Sequence, residues 1–101
     1  MVAGNERFVS NTPQHPNQNA ESRAVTAVQQ FPFATVFGCS DSRVAAEIIF
    51  DQGIGDLFVV RTAGHLLGTE VAASLEFAVD ALDVPLIVIL GHDGCGAVKA
   101  A

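Results

Sequence analysis

At 101 residues the chain has room for one domain with a modest core. Half of the residues are hydrophobic, which excludes a disordered chain, and eleven acidic against five basic residues give a net charge of −6, which argues against a nucleic-acid partner. No apolar run approaches the roughly 20 residues of a membrane span, and Met1 to Arg7 lacks the apolar core of a signal peptide, so no membrane contact and a cytoplasmic location are expected.

In chain order, residues 1–9 read as the end of a helix. Asn11 to Asn19, polar with two prolines, reads as an extended surface arm. A short helix is expected over 20–30, with Val25 and Val28 on one side, and then a first strand over 34–38. Residues 44–50 have helical composition, and Asp51 to Asp56 form a turn with two glycines. Leu57 to Arg61 is a second apolar strand, followed by a loop at Thr62 to His65. From Gly68 to Leu82, apolar residues Val71, Leu75, Ala78, Val79 and Leu82 recur at steps of three and four, the mark of a helix with one buried face. Val84-Pro85 breaks that helix. Leu86 to Leu90 then reads as a third strand, apolar enough to be buried on both faces, and a last helix begins near Gly94. Strand, helix, strand, helix, strand is the alternation of a parallel α/β sheet flanked by helices. Sites in such sheets form beyond the carboxyl ends of the strands.

Chemistry-bearing residues gather at two of those ends. Cys39 follows Gly38 at the end of the first strand, and His92 and Cys95 follow Gly91 at the end of the third. Zinc takes tetrahedral sulfur and nitrogen ligands, and a catalytic zinc keeps one position for water. Cys39, His92 and Cys95 supply three such ligands, and in a reducing compartment metal chemistry outweighs a disulfide. Asp41 is a carboxylate beside the fourth position, and Arg43, two residues on, can hold it ionised and oriented toward an acidified water. Taken singly, each of these residues has a plainer reading. A lone cysteine is commonly a packing residue, a strand-end histidine caps a loop, and an Asp-Arg pair is a surface ion pair of little worth. Arg61, at the end of an apolar strand, is expected to pair with a carboxylate, and His65 and His15 lack ligand-type neighbours. A cysteine-phosphatase loop is excluded because position 45 is Ala45, and the glycines at 91, 94 and 96 do not have dinucleotide spacing.

Three motifs in order, Cys39-Ser40-Asp41-Ser42-Arg43, Val59-Val60-Arg61-Thr62-Ala63-Gly64 and Gly91-His92-Asp93-Gly94-Cys95-Gly96, closely resemble the β-class carbonic anhydrases, and the likeness runs from Gly4 to the last residue. The resemblance implies a zinc-dependent, reversible hydration of carbon dioxide to bicarbonate and a proton. It implies one Zn²⁺ per chain on Cys39, His92 and Cys95, with Asp41 and Arg43 as catalytic dyad and Asp41 joining the metal only in a closed form. It further implies substrate-cleft roles for Gln30 (given across a dimer interface), Phe58, Phe77 and Gly96, and assembly into a homodimer or a larger homo-oligomer. Members of the family usually run further, so the fold is expected to be incomplete at the C-terminus: residues 1–33 a helix remnant and arm, residues 34–101 a zinc-binding α/β core. Two alternatives share these residues. One is a non-catalytic zinc-binding fragment of the same fold. The other is a hydrolase acting on CS2 or COS.

Overall fold

The computed structural model describes all residues, 1–101. Its centre is a parallel three-stranded sheet in the order β2-β1-β3, with β1 at Ala34–Cys39, β2 at Leu57–Thr62 and β3 at Ile87–Leu90. Ala34 stands opposite Leu57 and Cys39 opposite Thr62 on one side, and Thr35 opposite Ile87 and Gly38 opposite Leu90 on the other. Neighbours on both sides explain why every residue of β1 is buried. Val36, 1% exposed, contributes about 1.5–3 kcal/mol by that burial alone.

The helices are α1 (Val2–Val9), α2 (Ala20–Thr26), α3 (Ala46–Ile49), α4 (Thr69–Asp80) and α5 (Gly96–Ala100), with a 3-10 turn at Ala63–His65. Asn19 caps α2 by accepting a hydrogen bond from the Ser22 N–H, but α2 ends at Thr26, before Val28. Val25 and Val28, expected on one side of a longer helix, are 78% and 93% exposed. Helix α3 is a single turn rather than the seven residues expected, stopped by Asp51 at φ 48°. Helix α4 buries Val71 and Ala78 and sets Phe77 against Phe58 of β2, ring centroids 5.8 Å apart. Val79, expected on the buried face, is 42% exposed.

The strongest departure concerns β3. Asp83 at φ 53° turns the chain after α4, and regular pairing begins only at Ile87. Ile87 and Ile89 are 43% and 64% exposed. An apolar run therefore stands at an edge with one neighbouring strand, and the expectation of burial on both faces fails. Helix α4 packs chiefly on β2.

The N-terminal elements are fastened to the core most densely at one buried residue, Asp51, with Asn5 Nδ2 on the Ile49 carbonyl and Asn17 Nδ2 on Asp56 beside it. The Asp51 carboxylate accepts hydrogen bonds from Arg7 Nε (2.5 Å) and from the N–H groups of Gln14 (2.9 Å) and His15 (3.1 Å). Its carbonyl accepts another from Arg7 Nη2 at 3.2 Å. Gly4 lies so close to the Phe50 carbonyl that an added Cβ would stand 1.8 Å from the oxygen, so α1 can seat on α3 only through a glycine.

Candidate metal centre

Cys39, the last residue of β1, is 2% exposed, and Cys95, just before α5, is 8% exposed. With His92, from the loop after β3, they bring their ligand atoms within 4.8 Å of one another. The two sulfurs lie 3.8 Å apart, and both cysteines are free thiols. Two sulfurs held about 2.3 Å from one zinc at the tetrahedral angle would be about 3.8 Å apart, so the spacing fits the metal. His92 fits as well. Its Nδ1 donates to the Asp93 carbonyl at 2.9 Å, which leaves Nε2 as the bare lone pair, buried and without a hydrogen-bond partner. A buried, unpartnered imidazole nitrogen beside two thiols is a donor set for zinc.

The main chain prepares Cys39 for ionisation. Its Sγ accepts hydrogen bonds from the N–H of Gly64 (3.2 Å) and of Asp41 (3.4 Å). Without a metal, the His92 imidazole in its protonated form and these two N–H groups lower its thiol from 9.0 to about 6. In return the Cys39 thiolate raises His92 above the ordinary imidazole value.

Asp41 and Arg43 form the expected fork. Arg43 Nε donates to Asp41 Oδ1 at 2.9 Å and Nη2 to Oδ2 at 2.6 Å, while the Arg43 N–H adds a third bond to Oδ1 at 2.9 Å. The guanidinium also reaches the Gly94 carbonyl at 3.3 Å, which ties the dyad to the loop carrying His92 and Cys95. These bonds hold the Asp41 carboxyl well below the usual carboxylate range. Three donors occupy three of about four carboxylate lone-pair sites, so Asp41 keeps one acceptor site for a further proton donor. The carboxylate lies on its arginine and is not among the clustered ligand atoms.

The expected cleft residues are more dispersed. Gly96 is adjacent to Cys95, and nothing stands within 4 Å of where its Cβ would be. Phe58 of β2 pairs with Phe77 of α4 and lies four residues before Thr62, which stands opposite Cys39; four strand residues span roughly 13 Å. Gln30 is exposed ahead of β1, at the opposite end of the sheet, where it borders a recess with Ala81, Leu82 and Asp83. Within one chain, then, the structure gathers Cys39, Asp41, Arg43, His92, Cys95 and Gly96 but leaves Gln30, Phe58 and Phe77 apart.

Arg61 departs from expectation. It pairs with no carboxylate, and instead Nε donates to the Cys39 carbonyl (2.8 Å) and Nη2 to the Asp41 carbonyl (2.6 Å). It thus clamps the turn that presents both the thiol and the dyad. The Gly64 N–H on Cys39 also escaped the sequence reading, since any residue except proline carries that donor.

Comparison with known proteins agrees with this geometry. A family model described as carbonic anhydrase matches residues 34–101. Carbonic anhydrase 2 of Mycobacterium tuberculosis is 65% identical over 101 residues, covering 100% of this chain and 49% of the relative. A carbonic anhydrase of Mycolicibacterium smegmatis is 64% identical over 97 residues, covering 96% of this chain and 47% of the relative. The chain therefore spans about half the length of the curated relatives it matches. Among solved structures, the β-carbonic anhydrase CafA of Aspergillus fumigatus superposes with a TM-score of 0.75 at 35% identity, over 98% of this chain and 48% of that one. One of two tetrameric β-carbonic anhydrases from Sordaria macrospora gives a TM-score of 0.76 at 29% identity, over 98% and 50%. Sequence motifs, the clustered Cys39-His92-Cys95 donors and these likenesses agree: the chain belongs to the β-class carbonic anhydrase family.

Proposed function

We propose that this chain carries the zinc site and catalytic dyad of an enzyme that hydrates carbon dioxide reversibly to bicarbonate and a proton. The observation that carries the reading is the buried, unpartnered His92 Nε2 set between two thiols, with the Asp41-Arg43 fork two residues from Cys39. Cys39, His92 and Cys95 hold the zinc. Zinc supplies a Lewis acid that can bring a water molecule to a pKa of about 7.

The remaining work falls to the chain's own groups. Arg43 keeps Asp41 ionised and fixes its plane, so its one free acceptor site receives a proton donor from a set direction. A carboxyl held that far below its usual range is a poor proton store. Asp41 orients the attacking water by accepting its hydrogen bond, and the proton released leaves to solvent or buffer. Open space at Gly96 admits a small uncharged substrate beside the ligands.

The working form is a homo-oligomer. Supporting this are the tetrameric assembly named for the Sordaria macrospora proteins and the exposed apolar surface of Val25, Val28 and Phe31 around Gln30. Gln30, Phe58 and Phe77 serve as cleft residues in that assembly, with Gln30 given by a neighbouring copy.

The test is stopped-flow hydration of carbon dioxide by the purified chain with its zinc content measured. One zinc per chain and a rate above background are expected. Zinc at one per chain with no rate would overturn the activity and leave a zinc-binding unit. Parallel assays with COS and CS2 decide between carbon dioxide and its sulfur analogues.

A further inference from the structure

We propose that His65 is a positioning residue of the metal centre, holding the strand end that carries Cys39 at a fixed distance from the one that carries His92 and Cys95. The proposal rests on the reading of those three residues as zinc ligands. They come from two segments, and the pairing of β1 with β3 stops short of both, at Gly38 opposite Leu90. Beyond that pair no strand hydrogen bond sets the spacing of Cys39 from His92.

The turn after β2 supplies it. Gly64 donates its N–H to Cys39 Sγ at 3.2 Å, and the next residue, His65, donates through Nε2 to the Leu90 carbonyl. Two consecutive residues thus grip the two halves of the donor set, one at the thiol and one two residues before His92. Both are left-handed, Gly64 at φ 68° and His65 at φ 60°. Such a conformation in a residue with a Cβ persists where the surroundings fix it, and histidine is among the few side chains that tolerate it. The ring is fixed as well. Phe37 meets it edge-on, with centroids 6.2 Å apart and planes at 78°, and the His92 ring lies 5.9 Å away. With Nε2 engaged by a carbonyl, His65 is not itself a ligand.

Cobalt(II) loading tests the assignment, because its ligand-field bands report donor geometry and its thiolate charge-transfer band reports the cysteines. Competition against a chromophoric chelator gives zinc affinity on the same samples. His65→Asn keeps a side chain suited to the left-handed backbone but is too short for the Leu90 carbonyl, and His65→Gln restores an N–H donor at nearly the imidazole's reach. His65→Asn and His65→Ala are expected to shift the ligand-field bands and weaken zinc binding by about 10–100-fold, with His65→Gln recovering most of both. A His65→Asn chain with native bands and native affinity overturns the proposal and leaves the zinc site intact. A native chain that takes up cobalt without a thiolate band overturns the zinc reading itself, and this proposal with it.

Discussion

Cys39 shows how much of a reactive site is built from groups without a sequence signature. The thiol is brought to about 6 by His92 first, then by the N–H groups of Asp41 and Gly64. Removing the imidazole should therefore raise it. In metal-free chains carrying Cys95→Ser, thiolate absorbance against pH is expected to give a midpoint near 6, moving toward 9.0 when His92→Ala is added; an unmoved midpoint would leave the N–H groups as the whole cause. Asp41 gives a second expectation at this scale. Because its carboxylate lies on Arg43 and outside the ligand cluster, Asp41→Asn should keep one zinc per chain while hydration slows by about 10²-fold, the cost of losing the group that orients the water. Cys39→Ser and His92→Ala should lose both. Zinc analysis beside the stopped-flow rate separates the two patterns. The residues named in those experiments were all legible in the motifs, since the metal demands particular atoms. The Arg61 clamp and the Gly64 and His65 grip were not, because each bond has a main-chain atom on one side and is brought about only by the fold.

Among the elements, β1 and α4 were readable because their apolar pattern coincides with what covers them, two strands in one case and β2 in the other. Helix α3 and strand β3 were misjudged for the same reason in reverse. Composition and apolar runs report what a segment would bury, while the neighbours decide what it does bury. The attachment of α1 and the arm was likewise hidden, because Asp51 in a turn reads as a solvated acid. It is instead 2% exposed, and the N–H groups of Gln14 and His15 with the Arg7 guanidinium lower it from 3.8 to about 2. A depressed carboxyl contributes stability in full above its unfolded value and loses it as pH falls through the folded one. The native chain should accordingly lose the Asp51 part of the hold on its N-terminal elements between about pH 4 and pH 2. An Asp51→Asn chain, weakened already at neutral pH, should lose less in that window, where only Asp41 remains as a depressed carboxyl. Thermal unfolding along a pH series checks this, and parallel curves for the two chains would contradict it. Gly4→Ala probes the same joint by sterics, and overpacking of this kind costs about 1–3 kcal/mol.

For the molecule as a whole, only 15 of 101 residues are buried, although half of the chain is hydrophobic. Two groups within that surplus bear on assembly. Ile87 and Ile89 stand on an edge strand whose outer main-chain donors and acceptors have no strand to pair with, and Val25, Val28 and Phe31 form a second exposed group. The two are not equivalent. The valines and Phe31 offer apolar area alone, whereas β3 adds a row of directional hydrogen bonds, which makes an edge a template for another chain. Both should therefore contribute to self-association, the edge more strongly. Sedimentation velocity over a concentration series is expected to show self-association that Ile89→Lys weakens strongly and Val28→Lys weakens in part. Zinc uptake should survive Ile89→Lys, because Ile89 makes none of the bonds that hold Cys39, His92 or Cys95. Self-association unchanged by Val28→Lys would take the surface around Gln30 out of the contact between copies.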